Sequence, residues 1–179
     1  MENVTASTPD GIAELNRLHA LQRTAQRAEP TPSHRVRQAR LRALRDELLK
    51  RKNALAAAVD ADFSARGPHE TLMCEIFVVL EAIKHLQKNL KDWMSPRERT
   101  LSWIFQPAAA RVVLQPLGVV GVIAPWNYPI QLSLIPLVTA LAAGNRVLIK
   151  PSKFTPGVGQ AVADLWDRCR LPRGVFNMV

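Results

Sequence analysis

A chain of 179 residues, 47% hydrophobic and 22% charged, has enough apolar content for one packed domain or for part of a larger one. Its two cysteines, Cys74 and Cys169, exclude a disulfide framework and fit a reducing, cytoplasmic setting. The net charge of +9 raises nucleic-acid binding, which the placement of the basic residues has to decide.

Residues 1–33 read as an N-terminal extension. The start, MENVTASTPDG, lacks the basic and apolar parts of a secretory signal, and residues 1–10 predict a loosely attached, aperiodic segment. Ile12, Leu15, Leu18 and Leu21 predict a short helix over 11–27. The run Glu29-Pro30-Thr31-Pro32-Ser33 breaks it, and Thr31 or Ser33 is placed to cap the next helix, with Pro32 in its first turn.

A long helix is predicted from His34 to about Phe63. Arg35, Arg37, Arg40, Arg42 and Arg45 spread around its circumference at about 100° per residue, while Leu41, Leu44, Leu48, Leu55 and Val59 share one side. This is a core-facing helix with a solvated basic remainder, not a one-sided cationic face, and no aromatic interleaving supports base stacking. After Arg66-Gly67-Pro68, Leu72, Ile76, Val79, Leu80, Ile83, Leu86, Leu90 and Trp93 mark a second long helix, packed antiparallel on the first. Glu70, Glu75 and Glu81 read as its solvated side. His69 and His85 have no partner at metal-ligand spacing, so no metal site is predicted. Cys74 lies within this helix pattern. Residues 97–110 read as a crossing segment, with Trp103, Ile104 and Phe105, and Arg111–Gln115 as a strand.

The informative stretch is PLGVVGVIAPWNYPIQLSLIPLVTALAAGNRVLIKP, Pro116 to Pro151. A bend at Pro116-Leu117-Gly118 leads into an apolar strand over 117–124, whose unbroken apolar run predicts cover on both faces. Pro125 ends it, and Trp126-Asn127-Tyr128 precedes a second stop at Pro129. Residues 130–143 predict an apolar helix that Pro136 kinks or starts late, closed by Gly144-Asn145. Arg146–Lys150 is a second strand. The whole is a βαβ unit. Pro125, Asn127, Pro129 and Gln131 divide the region into pieces too short to cross a membrane. A loop over 151–156, a helix over 157–170 carrying Cys169, a turn at 171–174 and a strand over 175–179 complete the chain.

In open α/β sheets ligands sit beyond the carboxyl ends of the strands. Asn127 and Lys150 are placed there. They read either as a turn residue and a solvated strand end, or as an amide that donates to a developing oxyanion and a cation for ribose or phosphate.

PWNYP followed by AAGNRVLIKPS resembles the N-terminal part of the NAD(P)-dependent aldehyde dehydrogenase superfamily. DFSARGPHET and the later Glu75-Ile76 resemble the branch that includes coniferyl aldehyde and class 3-like fatty aldehyde dehydrogenases. The resemblance covers residues 34–179. It implies an incomplete aldehyde dehydrogenase fold of class α/β: a helical hairpin and crossing segment over 34–110, then the first part of a Rossmann-like parallel sheet in a partial dinucleotide-binding domain over 111–179. It implies an aldehyde substrate, NAD or NADP as cofactor, and a homo-oligomer in the complete enzyme. Asn127 becomes the side-chain donor of the oxyanion hole, Lys150 binds the adenosine ribose, and Ile123, Ala124, Pro125 and Trp126 line the cofactor cleft. Where the family carries a ribose-binding glutamate three residues after that lysine, this chain has Lys153, which suits the extra phosphate of NADP or else points into solvent. In the family a cysteine thiolate attacks the aldehyde and a glutamate activates water to release the acid. Neither Cys74 nor Cys169 matches that nucleophile, and the base and the nucleotide loop lie in the family beyond residue 179. The chain alone is therefore expected to be inactive, with an unpaired last strand and poor solubility. The alternatives are a non-catalytic interaction or pseudoenzyme fragment and a basic nucleic-acid-binding helical protein.

Overall fold

The structure is a computed structural model that describes residues 9–172 and 174–178. Residues 1–8 of the expected loose segment, Arg173 of the expected turn and Val179 of the last strand lie outside them. The elements in order are α1 (Pro9–Ala28), α2 (His34–Phe63), α3 (Pro68–Thr71), a π-helical turn (Leu72–Phe77), α4 (Val78–Trp93), β1 (Arg97–Arg99), a 3-10 turn (Trp103–Phe105), β2 (Ala110–Val112), β3 (Val119–Ile123), α5 (Pro129–Ala142), β4 (Arg146–Lys150), α6 (Pro156–Arg168) and β5 (Phe176–Met178).

The fold is the expected α/β arrangement. Three parallel strands lie in the order β3-β4-β5, with Val119 opposite Arg146 and Ile123 opposite Lys150. Strand alternation turns Val147 and Ile149 to one face of the sheet, where they share a buried core with Ile130, Leu134, Leu137 and Leu141 of α5. Arg146 and Leu148 face the other side, where α1 packs and the Arg146 guanidinium donates to the Ala25 carbonyl at 3.1 Å. Helix α2 lies on α5 and α6, and α4 packs on α2 and α5. Leu41, Leu44, Leu48, Leu55 and Val59 of α2 are buried as the wheel predicts. Burial of one such leucine contributes about 1.5–3 kcal/mol.

The helix boundaries follow from local chemistry. The Ser33 hydroxyl accepts from the Val36 N–H at the start of α2, and Pro32 stands before that cap instead of in the first turn. α5 runs from Pro129 through Pro136, so Pro136 does not mark a late start. Its end is a Schellman turn: the Gly144 N–H donates to Leu141, the Asn145 N–H to Ala140, and Gly144 takes a φ of +90° that only glycine adopts without strain.

Four expectations need correction. Arg37 and Arg40 are not solvated but buried. Arg40 pairs with Glu29 at 2.6 Å, Arg146 pairs with the same Glu29 oxygen at 3.1 Å, and together they tie α1 to α2 and the sheet. The strand expected over Arg111–Gln115 spans only 110–112, and it pairs antiparallel with 97–99 in a two-stranded ribbon separate from the parallel sheet. β3 is not covered along both faces: Val122 is buried and Val119 and Val120 are half-buried, but Gly121 and Ile123 are exposed. Glu75 is not on a solvated face; it is fully buried. The π turn accommodates one extra residue, which brings Thr71, Glu75 and Ile76 inward together.

Candidate functional site

The site forms where β3 and β4 end. The ladder continues one residue past β3, through the Ala124 N–H to the Lys150 carbonyl at 3.0 Å. Pro125 then releases the chain into the exposed turn Trp126-Asn127, and Tyr128 occupies the N-cap position of α5 without a side-chain cap. Because Ile123 pairs with Lys150, the turn that holds Asn127 and the end of β4 stand at the same carboxyl edge of the sheet.

The cap that Tyr128 does not supply comes from another element. One Glu75 carboxylate oxygen accepts from the Ile130 N–H at 2.7 Å and from the Gln131 N–H at 3.1 Å. Burial pushes the Glu75 carboxyl above its ordinary range, while the Gln131 and Ile130 N–H groups and the nearby Arg66 charge pull it down. Arg66 stands 3.8 Å from the other carboxylate oxygen, and its guanidinium donates to the Asn127 carbonyl at 2.7 Å. Its Cζ lies 3.9 Å from the Phe63 ring centroid and 5.2 Å from that of Tyr128. Phe63 in turn meets Trp126, with ring centroids 6.2 Å apart. The N-terminus of α6 is held in the same way: the Asp62 carboxylate accepts from the Gly157 and Val158 N–H groups at 3.2 and 2.9 Å. Both helix N-termini at this edge are thus occupied by carboxylates from the helical hairpin and its turn.

What stays open is the sheet itself. Gly121 has nothing within 4 Å of where a Cβ would stand, Ile123 is 83% exposed, and Trp126 and Phe154 are half or more exposed. Lys150 and Lys153 are exposed on the same rim, and Lys153 reaches 5.2 Å from the Phe154 ring centroid. Flat apolar surface beside two ammonium groups is a donor set that suits a nucleotide: a ring on the apolar part, hydroxyl or phosphate oxygens on the cations. Ala124, by contrast, is buried, so its side chain offers no surface, and only its main chain is placed to contribute.

Residues 3–179 match the profile of the Aldehyde dehydrogenase family. The chain belongs to the aldehyde dehydrogenase family. It is 52% identical over 157 residues to the probable coniferyl aldehyde dehydrogenase of Pseudomonas aeruginosa, covering 88% of this chain and 33% of that relative. It is 36% identical over 148 residues to mouse aldehyde dehydrogenase family 3 member B2, covering 83% of this chain and 30% of that protein. Among solved structures, the substrate-bound state of Staphylococcus aureus AldH superposes with a TM-score of 0.87 at 26% identity, covering 92% of this chain and 36% of that one. The chain spans about a third of the length of the curated relatives it matches, their N-terminal part, and the family typically uses NAD(P).

The structure gathers Asn127, Pro125, Trp126, Ile123, Lys150 and Lys153 at one edge. The sequence reading missed Arg66, Glu75 and Asp62. Their signal was faint: a carboxylate directly before the buried Ile76, and the acidic end of α2, both able to reach a helix that has no cap of its own. Cys74 is exposed, whereas Cys169 is buried and its thiol is pushed up to about 12, chiefly by desolvation. No helix among the described residues is long and apolar enough to cross a membrane.

Proposed function

We propose that this aldehyde dehydrogenase segment supplies the oxyanion donor and the nucleotide-binding rim for NAD(P)-dependent oxidation of an aldehyde to its acid. The observation that carries the reading is the placing of the Asn127 turn and the Lys150 strand end on one edge of a parallel sheet, beside an uncovered apolar strip. The Asn127 amide donates to the aldehyde oxygen as negative charge develops there; it carries no charge to be desolvated and needs no proton transfer to do so. Lys150 binds ribose hydroxyls, Ile123 and Trp126 form the flat contact for a ring, and the main chain of Ala124 and Pro125 lines the cleft between them. When bound, the cofactor supplies the hydride acceptor. Lys153, a cation where a hydroxyl acceptor would favour NAD, favours the extra phosphate of NADP.

The substrates are aromatic or fatty aldehydes, with coniferyl aldehyde first because the relative at 52% identity carries that name. The acting enzyme is a cytoplasmic homo-oligomer, and residues 111–179 form the first part of its dinucleotide-binding domain. Turnover needs a nucleophile other than Cys74 and Cys169, so the chain by itself is inactive. The test is a spectrophotometric assay with coniferyl aldehyde and with octanal, each with NAD+ and NADP+. An enzyme that includes this segment is expected to reduce NADP+ and to shift toward NAD+ on Lys153→Glu; a cofactor ratio unmoved by that change would remove Lys153 from the site. Aldehyde-dependent reduction by the chain alone would contradict the assignment of the nucleophile elsewhere.

A further inference from the structure

Glu75 and Arg66 are the two charged groups that the helical hairpin and its turn send against residues 127–131, and nothing in the proposed chemistry uses them. A cap for α5 accounts for half of what they do. It explains why a buried carboxylate accepts from Ile130 and Gln131, since those N–H groups have no partner within the helix. It does not explain Arg66. A carbonyl that precedes a helix needs no cap, yet Arg66 donates to the Asn127 carbonyl at 2.7 Å, with its guanidinium against the Phe63 and Tyr128 rings and beside Glu75. The buried Glu75 oxygen that faces Arg66 has no hydrogen-bond partner of its own, so its charge is answered there by that guanidinium. The main chain of residue 127 is therefore fixed on one side by Arg66 and two peptides later by Glu75.

We propose that Arg66 and Glu75 are positioning residues for the oxyanion donor: they hold the Asn127 main chain so that its side-chain amide keeps one place, an inference that rests on Asn127 having that role. A donor of this kind works only when it is fixed before the reaction, and a displacement of about 1 Å costs on the order of 100-fold in rate. The turn between Pro125 and Pro129 is exposed at Asn127 and is not part of the sheet ladder, so its rigidity has to come from such ties.

The test has two readouts. Amide hydrogen exchange in the chain itself is expected to speed up by about 10- to 100-fold at Ile130 and Gln131 in Glu75→Ala. Val147 to Ile149 in the central strand should keep their rates, and Glu75→Gln, which retains an acceptor oxygen, should restore most of the protection. In an active aldehyde dehydrogenase that includes this segment, Arg66→Lys keeps the charge but loses the planar fork. It is expected to lower kcat by about tenfold or more, with the cofactor KM and the melting temperature unchanged. Should Glu75→Ala not fold, Arg66→Lys and Arg66→Met carry the test, because Arg66 is partly exposed. Exchange at 130 and 131 that is unchanged, or a kcat that simply follows the melting temperature, would overturn the inference. If Asn127→Ala lowers kcat while Arg66→Lys does not, this inference alone falls; if Asn127→Ala leaves kcat unchanged, the functional reading falls and takes this one with it.

Discussion

The two ends of α5 are held by the same device with opposite charge. The helix itself, PIQLSLIPLVTALA, contains no ionisable residue. At its N-terminus the buried Glu75 accepts from two free N–H groups; at its C-terminus the buried Arg37 donates to the Ala142 carbonyl at 3.1 Å and to the Pro32 carbonyl at 2.8 Å. Each charge complements the helix dipole at its own end. The difference lies in what stands beside them. Glu75 shares its end with Arg66 and the Asn127 turn, at the carboxyl edge of the sheet. Arg37 shares its end with the Gly144 turn and the amino ends of the strands, where no functional group is proposed. A buried side chain satisfies free main-chain groups at either end, but only one end lies beside the proposed site. This pair therefore separates a structural effect from a functional one within a single helix.

The largest expected effect breaks the functional end. Glu75→Ala leaves two N–H groups unpaired and Arg66 without its buried partner, and is expected to cost about 3 kcal/mol in urea unfolding. Arg37→Ala, at the other end, is expected to cost about 2 kcal/mol, yet to leave kcat of an active enzyme that includes this segment unchanged at 25 °C. A loss of kcat there beyond the unfolded fraction would erase the contrast. Asp62→Ala at the α6 N-terminus removes a half-buried cap and is expected to cost about 1 kcal/mol.

A finer contrast is available from pH. Because burial raises the Glu75 pKa in the fold, its contribution to stability is fully present below the ordinary carboxylate value and is lost as pH rises through the raised one. Glu75→Gln removes that dependence. The stability of the natural chain relative to Glu75→Gln should therefore decline as pH rises above the ordinary carboxylate value of about 4.5. A difference that grew with pH over that range would show the carboxylate to be stabilised as an anion. The smallest effect concerns the thiols: at pH 8 a disulfide reagent is expected to modify Cys74 in the native chain and Cys169 only after unfolding. Native labelling of Cys169 would contradict its burial.

Much of this architecture was legible in the sequence because it rests on short-range signals. The limits of α2 and β4, the Gly144-Asn145 stop and the turn between Pro125 and Pro129 all follow from periodicity and from glycine and proline. The groups that hold α5 were not legible, for a physical reason. A charged residue on an amphipathic helix reads as solvated unless its partner is known, and here the partners lie 105 residues away for Arg37 and 55 and 61 for Glu75 and Arg66. The π turn at Leu72–Phe77 compounds this for Glu75, since a wheel drawn at a constant 3.6 residues per turn puts it only at the margin of the buried stripe, where a charge reads as solvated. Of the β1–β2 ribbon only a strand near Arg111 was legible; β1 and the pairing were not, because strands of three residues carry too little alternation to register. The likeness to aldehyde dehydrogenases added what spacing left open, namely which reading of Asn127 to prefer.

That preference meets its most direct test in the turnover number of Asn127→Ala, measured at saturating aldehyde and cofactor in an active enzyme that includes this segment. A fall of about 10²- to 10³-fold with the cofactor KM unchanged is predicted. A kcat equal to that of the natural enzyme, or a loss confined to cofactor KM, would contradict the role assigned to that amide.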